Sequence, residues 1–201
     1  MIAIIDYDAG NIKSVEKAVI SLGEEAVVTR DPAVIKDADK VMLPGVGVFG
    51  DAMGKLEEYG LVPVIHQVID AGTPFMAICV GLQLLFEGSE ESPGVDGLGI
   101  FKGRVLKIPA SDGIKVPQIG WNSLHLENKS VILDGIDEGA YVYFVHSFYL
   151  KAEDESIVTS SVEYGTHIHA SVEKGNIFAT QFHPEKSSSV GLKILENFLK
   201  I

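Results

Sequence analysis

A chain with one cysteine cannot close an internal disulfide, and Cys79 is the only one here. Basic residues are also scarce: 16 Lys and Arg stand against 28 Asp and Glu, for a net charge of −12. That excess repels phosphate backbones and anionic lipid over the Debye length, about 8 Å at physiological salt, and argues against a nucleic-acid or membrane partner. No apolar run approaches the roughly 20 residues that span a bilayer. The opening MIAIIDYDAG reaches acidic side chains with no basic region and no apolar stretch long enough for a secretory signal. Internal repeats, low-complexity tracts and long flexible linkers are absent as well. The expectation is a reducing, cytoplasmic setting and one α/β domain over residues 1–201, with a 46% hydrophobic content to build its core.

What is present alternates. In the first half, short apolar runs (MIAII, EAVVT, KVMLP, PFMAI) are separated by helical patterns, the rhythm of βα units around a parallel sheet. The segment NIKSVEKAVISLG spaces Ile12, Val15, Val19 and Leu22 for one helix face and closes on Gly23. From about Gly103 the runs shorten and turn β-branched and aromatic, which predicts an antiparallel or mixed region. The final SSSVGLKILENFLK offers serines for an N-cap, then Leu192, Leu195 and Leu199 at helical spacing.

Cys79 lies where the strand PFMAI gives way to a helical pattern, flanked at two positions on either side by the small residues Ala77 and Gly81. A nucleophile on a sharp strand-to-helix turn needs that spacing, because strand and helix pass close together there. The N-terminus of the following helix would favour a thiolate and offer N–H groups to an oxyanion. The competing reading is a buried cysteine acting as a small hydrophobe.

A thiol nucleophile needs a base, and the base needs an orienting group. In ATQFHPEKS, His183 ends an apolar run and Glu185 follows two residues later, on the same side of an extended backbone. A solvated surface turn is the plainer alternative. Among the other histidines, His167 and His169 share a strand face, but two ligands are few for zinc. His66 and His125 fit structural roles. His146 ends the strand pattern YFVHSF, a common place for binding groups.

The segment PGVGVFG holds Gly45, Gly47 and Gly50 in a formal dinucleotide fingerprint, with Asp70 at a plausible distance for a ribose contact. The fingerprint should follow the first strand, however, and this one follows a later strand. Backbone N–H groups aimed at an anionic intermediate are the other use of such a loop.

CVGLQ, PGVG and QFHPEKS, in this order and spacing, resemble the class I (triad) glutamine amidotransferases over essentially the whole chain. DYDAGNIKSV, PQIGWNSL and YFVHSFY further resemble the branch that serves imidazole glycerol phosphate synthase in histidine biosynthesis. The resemblance implies a flavodoxin-like three-layer sandwich around a central mixed, largely parallel sheet, with no cofactor and no metal. It assigns Cys79 as nucleophile, His183 as proton carrier and Glu185 as its orienting acid. The oxyanion would meet backbone N–H groups of Val80 and of Val46 or Gly47. Glutamine would be held by Gly47, Gln83, His146, Ser147 and Phe148. Ammonia would cross to a separate (β/α)8-barrel cyclase acting on the nucleotide PRFAR, with Asn11, Trp121, Asn122 and Tyr143 as candidates for the interface. The glycine loop further predicts an oxyanion site that is incomplete in the isolated chain and is assembled by a peptide flip near Val46 only when the cyclase and its ligand are engaged. A glutaminase feeding another synthase is the near alternative, and a dinucleotide-binding protein the distant one.

Overall fold

The computed structural model describes residues 1–110 and 113–201. In chain order the first half runs β1 (Ile2–Ile5), α1 (Ile12–Ser21), β2 (Ala26–Thr29), α2 (Pro32–Lys36), β3 (Lys40–Gly45), α3 (Phe49–Glu58), α4 (Val62–Asp70), β4 (Phe75–Cys79) and α5 (Val80–Leu84). The second half adds β5 (Gly103–Lys107), β6 (Gln118–Ser123), β7 (His125–Leu126), β8 (Tyr141–His146), β9 (Phe148–Ala152), β10 (Val158–Glu163), β11 (His167–Lys174), β12 (Ile177–Thr180) and α6 (Ser188–Leu199).

Among the described residues ten strands form one sheet along the path β2-β1-β3-β4-β12-β11-β10-β7, with β9 joined to β11 and β5 to β9. The pairs from β2 to β12 are parallel and those beyond are antiparallel, so the change of rhythm near Gly103 marks a real change of architecture. β1, β4 and β12 are buried along their whole length, which is why they read as continuous apolar runs without alternation. The crossover from β1 to β2 moves one way along the sheet, and those from β2 to β3 and β3 to β4 move the other way. Right-handed connections therefore place α1 on one face and α2, α3 and α4 on the opposite one, giving three layers. The reversal beside β1 is a topological switch point, and sites in such sheets form at the carboxyl ends of the neighbouring strands.

α1 buries Ile12, Val15, Ala18 and Val19 and stops before Gly23, whose φ of 91° lies in the left-handed region. α6 departs from its sequence pattern in two respects. Its buried stripe runs through Gly191, Ile194, Leu195 and Phe198, leaving Leu192 one position off it and 37% exposed. Ser187, at its N-cap, makes no capping bond; its hydroxyl is committed to His183 and Tyr143 instead. β6 and β8 form a separate two-stranded antiparallel ribbon whose last pair is Gln118 with His146. Among the described residues no helix is long and apolar enough to cross a membrane.

Candidate active site

The carboxyl ends of β3, β4 and β12 lie side by side, with Gly45 in register with Cys79 and Ile78 with Thr180. Cys79 closes β4 at φ 57° and ψ −111°, a conformation that costs a side-chain-bearing residue about 1–3 kcal/mol. Gly81 makes the turn feasible: a Cβ there would stand 2.0 Å from the Leu43 carbonyl oxygen and 3.6 Å from the Ala77 Cβ. The small residue after Cys79 is thus required by close packing of β3 against the start of α5. α5 itself is only five residues long, so it supplies a first turn of N–H groups and not the dipole of a long helix.

His183 lies three residues past β12, and one turn of 3₁₀ helix over Pro184–Lys186 follows it. The turn, not an extended backbone, brings His183 and Glu185 together. Pro184 fixes a helical φ at the first position, and Lys186 N and Ser187 N bond back to the His183 and Pro184 carbonyls at 3.0 Å each. His183 Nδ1 donates to Glu185 Oε1 at 2.7 Å, and both side chains are at most 1% exposed. In the neutral ring, with the proton on Nδ1, Nε2 is the acceptor; it is buried and has no hydrogen-bond partner among the described residues. Burial opposes charging this ring, but the adjacent Cys79 and Glu185 outweigh it and raise the His183 pKa to about 9. Asn11, expected on a partner-facing surface, is half-buried, and its amide also donates to Glu185 Oε1. Its backbone is left-handed at φ 70°, and its side chain gives α1 no cap.

Cys79, Val80, Val46, Gly47, Gln83, His146, Ser147 and Phe148 line one cavity of about 290 Å³, so the residues expected to hold substrate and oxyanion converge. A larger groove of about 970 Å³ beside Val131 and Leu133 contains none of them. His146 Nδ1 donates to the Phe148 carbonyl at 2.8 Å, and burial lowers its pKa to about 4, so the ring is neutral at pH 7. Glu91 also lines the cavity; nothing near it in sequence marks it out. Its Oε2 accepts from Phe49 N at 2.8 Å, while Ser92 Oγ accepts from Gly50 N at 2.9 Å.

Those two bonds decide the glycine loop. The first N–H groups of α3, where a dinucleotide pyrophosphate would bind, are occupied by a carboxylate and a hydroxyl, and Asp70 ends a helix instead of a strand. Gly47 is exposed with φ 105°, a value that a Cβ would resist. His167 is exposed and bonded to Glu163, whereas His169 is buried and accepts from Ala152 N at 3.1 Å. Among the described residues no cluster of three His, Cys, Asp or Glu is placed to hold a metal ion.

On the ribbon, Trp121 and Tyr143 are register partners with ring centroids 6.1 Å apart, and Trp121 is 48% exposed. Asn122 is half-buried and accepts from Gln118 Nε2 at 2.8 Å. Ile119 and Tyr141 extend the exposed apolar surface of this ribbon.

The thiol on a strained strand-to-helix turn and the imidazole held by a buried carboxylate both lie at the carboxyl ends of strands in an α/β fold, where sites in such sheets form. The profile of the glutamine amidotransferase class-I family matches residues 3–201, and the chain belongs to that family. It is 52% identical over 196 residues to the imidazole glycerol phosphate synthase subunit HisH of Aquifex aeolicus, covering 97% of this chain and 94% of that protein. It is 50% identical over 202 residues to the subunit of the same name from Geobacter metallireducens, covering 98% and 96%. Among solved structures, PurLQS from Thermotoga maritima superposes with a TM-score of 0.76 at 22% identity, covering 99% of this chain and 97% of that one. A crystal structure of a glutamine amidotransferase gives a TM-score of 0.76 at 18% identity, covering 98% and 97%. These two similarities establish the fold alone.

Proposed function

We propose that this chain is the glutaminase subunit of an imidazole glycerol phosphate synthase. It hydrolyses L-glutamine to glutamate and passes the ammonia to a (β/α)8-barrel cyclase subunit in a heterodimer. The observation that carries the reading is His183 Nε2, buried and without a hydrogen-bond partner among the described residues, with Glu185 holding the other ring nitrogen at 2.7 Å.

His183 takes the thiol proton and Cys79 Sγ attacks the Cδ carbonyl carbon of glutamine. The resulting oxyanion is met by the Val80 N–H and by one from Val46 or Gly47. Collapse breaks the C–N bond, His183 returns the proton to the leaving nitrogen, and ammonia departs from a glutamyl thioester. Water, deprotonated by His183, then cleaves the thioester to glutamate and restores the thiol. Gln83, His146, Ser147 and Phe148 surround the amino acid, and the Glu91 carboxylate on the wall of the same cavity would meet its α-ammonium. The exposed ribbon with Trp121 and Tyr143 is the face offered to the cyclase.

Glutamate release should be measured for the chain alone, with the cyclase, and with the cyclase and its nucleotide ligand. Hydrolysis that rises with each addition supports the reading. A chain that hydrolyses glutamine equally well alone would contradict the incomplete oxyanion site, and one that supplies a different synthase would redirect the assignment.

A further inference from the structure

The orientation of the amides around the thiol is set by one backbone carbonyl. The Phe148 oxygen can only accept, and it receives Gln83 Nε2 at 3.0 Å beside His146 Nδ1 at 2.8 Å. This settles which end of the Gln83 amide is nitrogen. The same nitrogen lies 3.0 Å from Gln181 Oε1, so the Gln181 carbonyl is turned toward Gln83. Its NH2 group is thereby turned to Cys79, with Nε2 donating to Sγ at 3.7 Å. Gln181 is fully buried in the short segment between β12 and His183. An amide nitrogen has no lone pair for an S–H proton. In the neutral enzyme that proton must therefore point away from Gln181, and the acceptor left without a partner on this side is His183 Nε2.

We propose that Gln181 is the second group acting on the nucleophile: a fixed donor that steers the thiol proton toward His183 and stabilises the thiolate once the proton has moved. The proposal rests on Cys79 being the glutaminase nucleophile. In the step concerned, the S–H bond breaks, its electron pair stays on sulfur, and the proton forms an N–H bond at His183 Nε2. The Gln181 N–H donates to the anion more strongly than to the thiol, because hydrogen bonds to charged acceptors are the stronger ones. It therefore favours the ionised form. The donor weakens again when the sulfur becomes a neutral thioester, so its effect falls on the attack and not on the binding of glutamine.

Because the chain has one cysteine, alkylation by iodoacetamide followed by intact mass reads Cys79 alone. Gln181→Met keeps length and volume and removes the donor; Gln181→Glu keeps the acceptor that Gln83 needs and replaces the donor with a carboxylate. Both should move the midpoint of the alkylation pH profile upward, and below the wild-type midpoint the reaction slows about tenfold for every pH unit the midpoint rises. Both should also lower kcat for glutamine in the cyclase complex with KM little changed. Variants that melt at lower temperature yet keep the wild-type alkylation profile would assign Gln181 to packing and overturn the proposal. If the wild-type complex releases no glutamate at all, the glutaminase reading itself falls; an unchanged profile in an active complex removes Gln181 only.

Discussion

The backbone N–H of His183 donates to the carbonyl of Tyr143 at 3.0 Å, so the turn that carries the proposed base is bonded directly to the ribbon that carries Trp121. Ser187 closes the link: its hydroxyl donates to the His183 carbonyl at 2.6 Å and accepts from Tyr143 N at 3.0 Å. Ser187→Ala leaves the Tyr143 N–H without its acceptor, at a cost of about 1–3 kcal/mol for a buried unsatisfied group, while the His183 carbonyl keeps only Lys186 N. The expected result is a lower denaturation midpoint and a lower kcat with KM nearly unchanged. Urea titration and steady-state kinetics check the two together.

The pKa of His183 is raised from 6.5 to about 9, with burial opposing and Cys79 and Glu185 prevailing. The folded state thus holds this proton more tightly than the unfolded chain does. The stability it contributes is complete below about pH 6.5 and disappears as pH rises through about 9. Glutamine hydrolysis should fall over the same alkaline range, as the imidazolium that protonates the leaving nitrogen is lost. Glu185→Gln removes one of the groups that raise the pKa, so the alkaline limb should move to lower pH and the rate fall roughly a hundredfold. A pH–rate profile of the cyclase complex for both proteins tests this; an alkaline limb that stays in place would contradict it.

Gly191 lets the first turn of α6 lie against the turn that holds His183 and Glu185, since a Cβ there would stand 1.9 Å from the Pro184 carbonyl oxygen. Gly191→Ala must push α6 or Pro184 aside, and Pro184 joins His183 to Glu185. The expected outcome is destabilisation of roughly 1–3 kcal/mol, typical of overpacking, with a disproportionate loss of turnover. Thermal denaturation and glutaminase assays on the same preparation separate the two effects.

Trp121 is 48% exposed on the ribbon, with Ile119 at 62% and Tyr141 at 59% beside it. A large aromatic at the centre of such a patch is the kind of residue whose truncation costs an interface about 2 kcal/mol or more. Trp121→Ala should weaken binding to the cyclase by about thirtyfold or more while leaving the chain's own melting temperature within a degree or two. Calorimetric titration of the two subunits measures this, and unchanged affinity would move the interface elsewhere.

The reach of the sequence follows from how far apart its signals lie. Cys79 was legible because Ala77 and Gly81 sit within two residues of it, and the packing that demands them is local to one turn. His183 and Glu185 were legible as neighbours, although their contact depends on a 3₁₀ turn and not on strand alternation. The parallel core announced itself in strands buried on both faces, whereas the Leu192 position could not be resolved by spacing alone. Glu91, Gln181 and the second role of Asn11 left no local mark. Their partners Phe49, Cys79 and Glu185 are 42, 102 and 174 residues away, so only the folded chain brings the groups together.

The central claim is that the Cys79 sulfur releases the ammonia that the cyclase consumes. Product formation by the complex of the cyclase with Cys79→Ala, given either glutamine or an ammonium salt, tests that claim at its source. The account predicts no product from glutamine and wild-type product from ammonium. Equal product from glutamine in the variant and the wild type would contradict it.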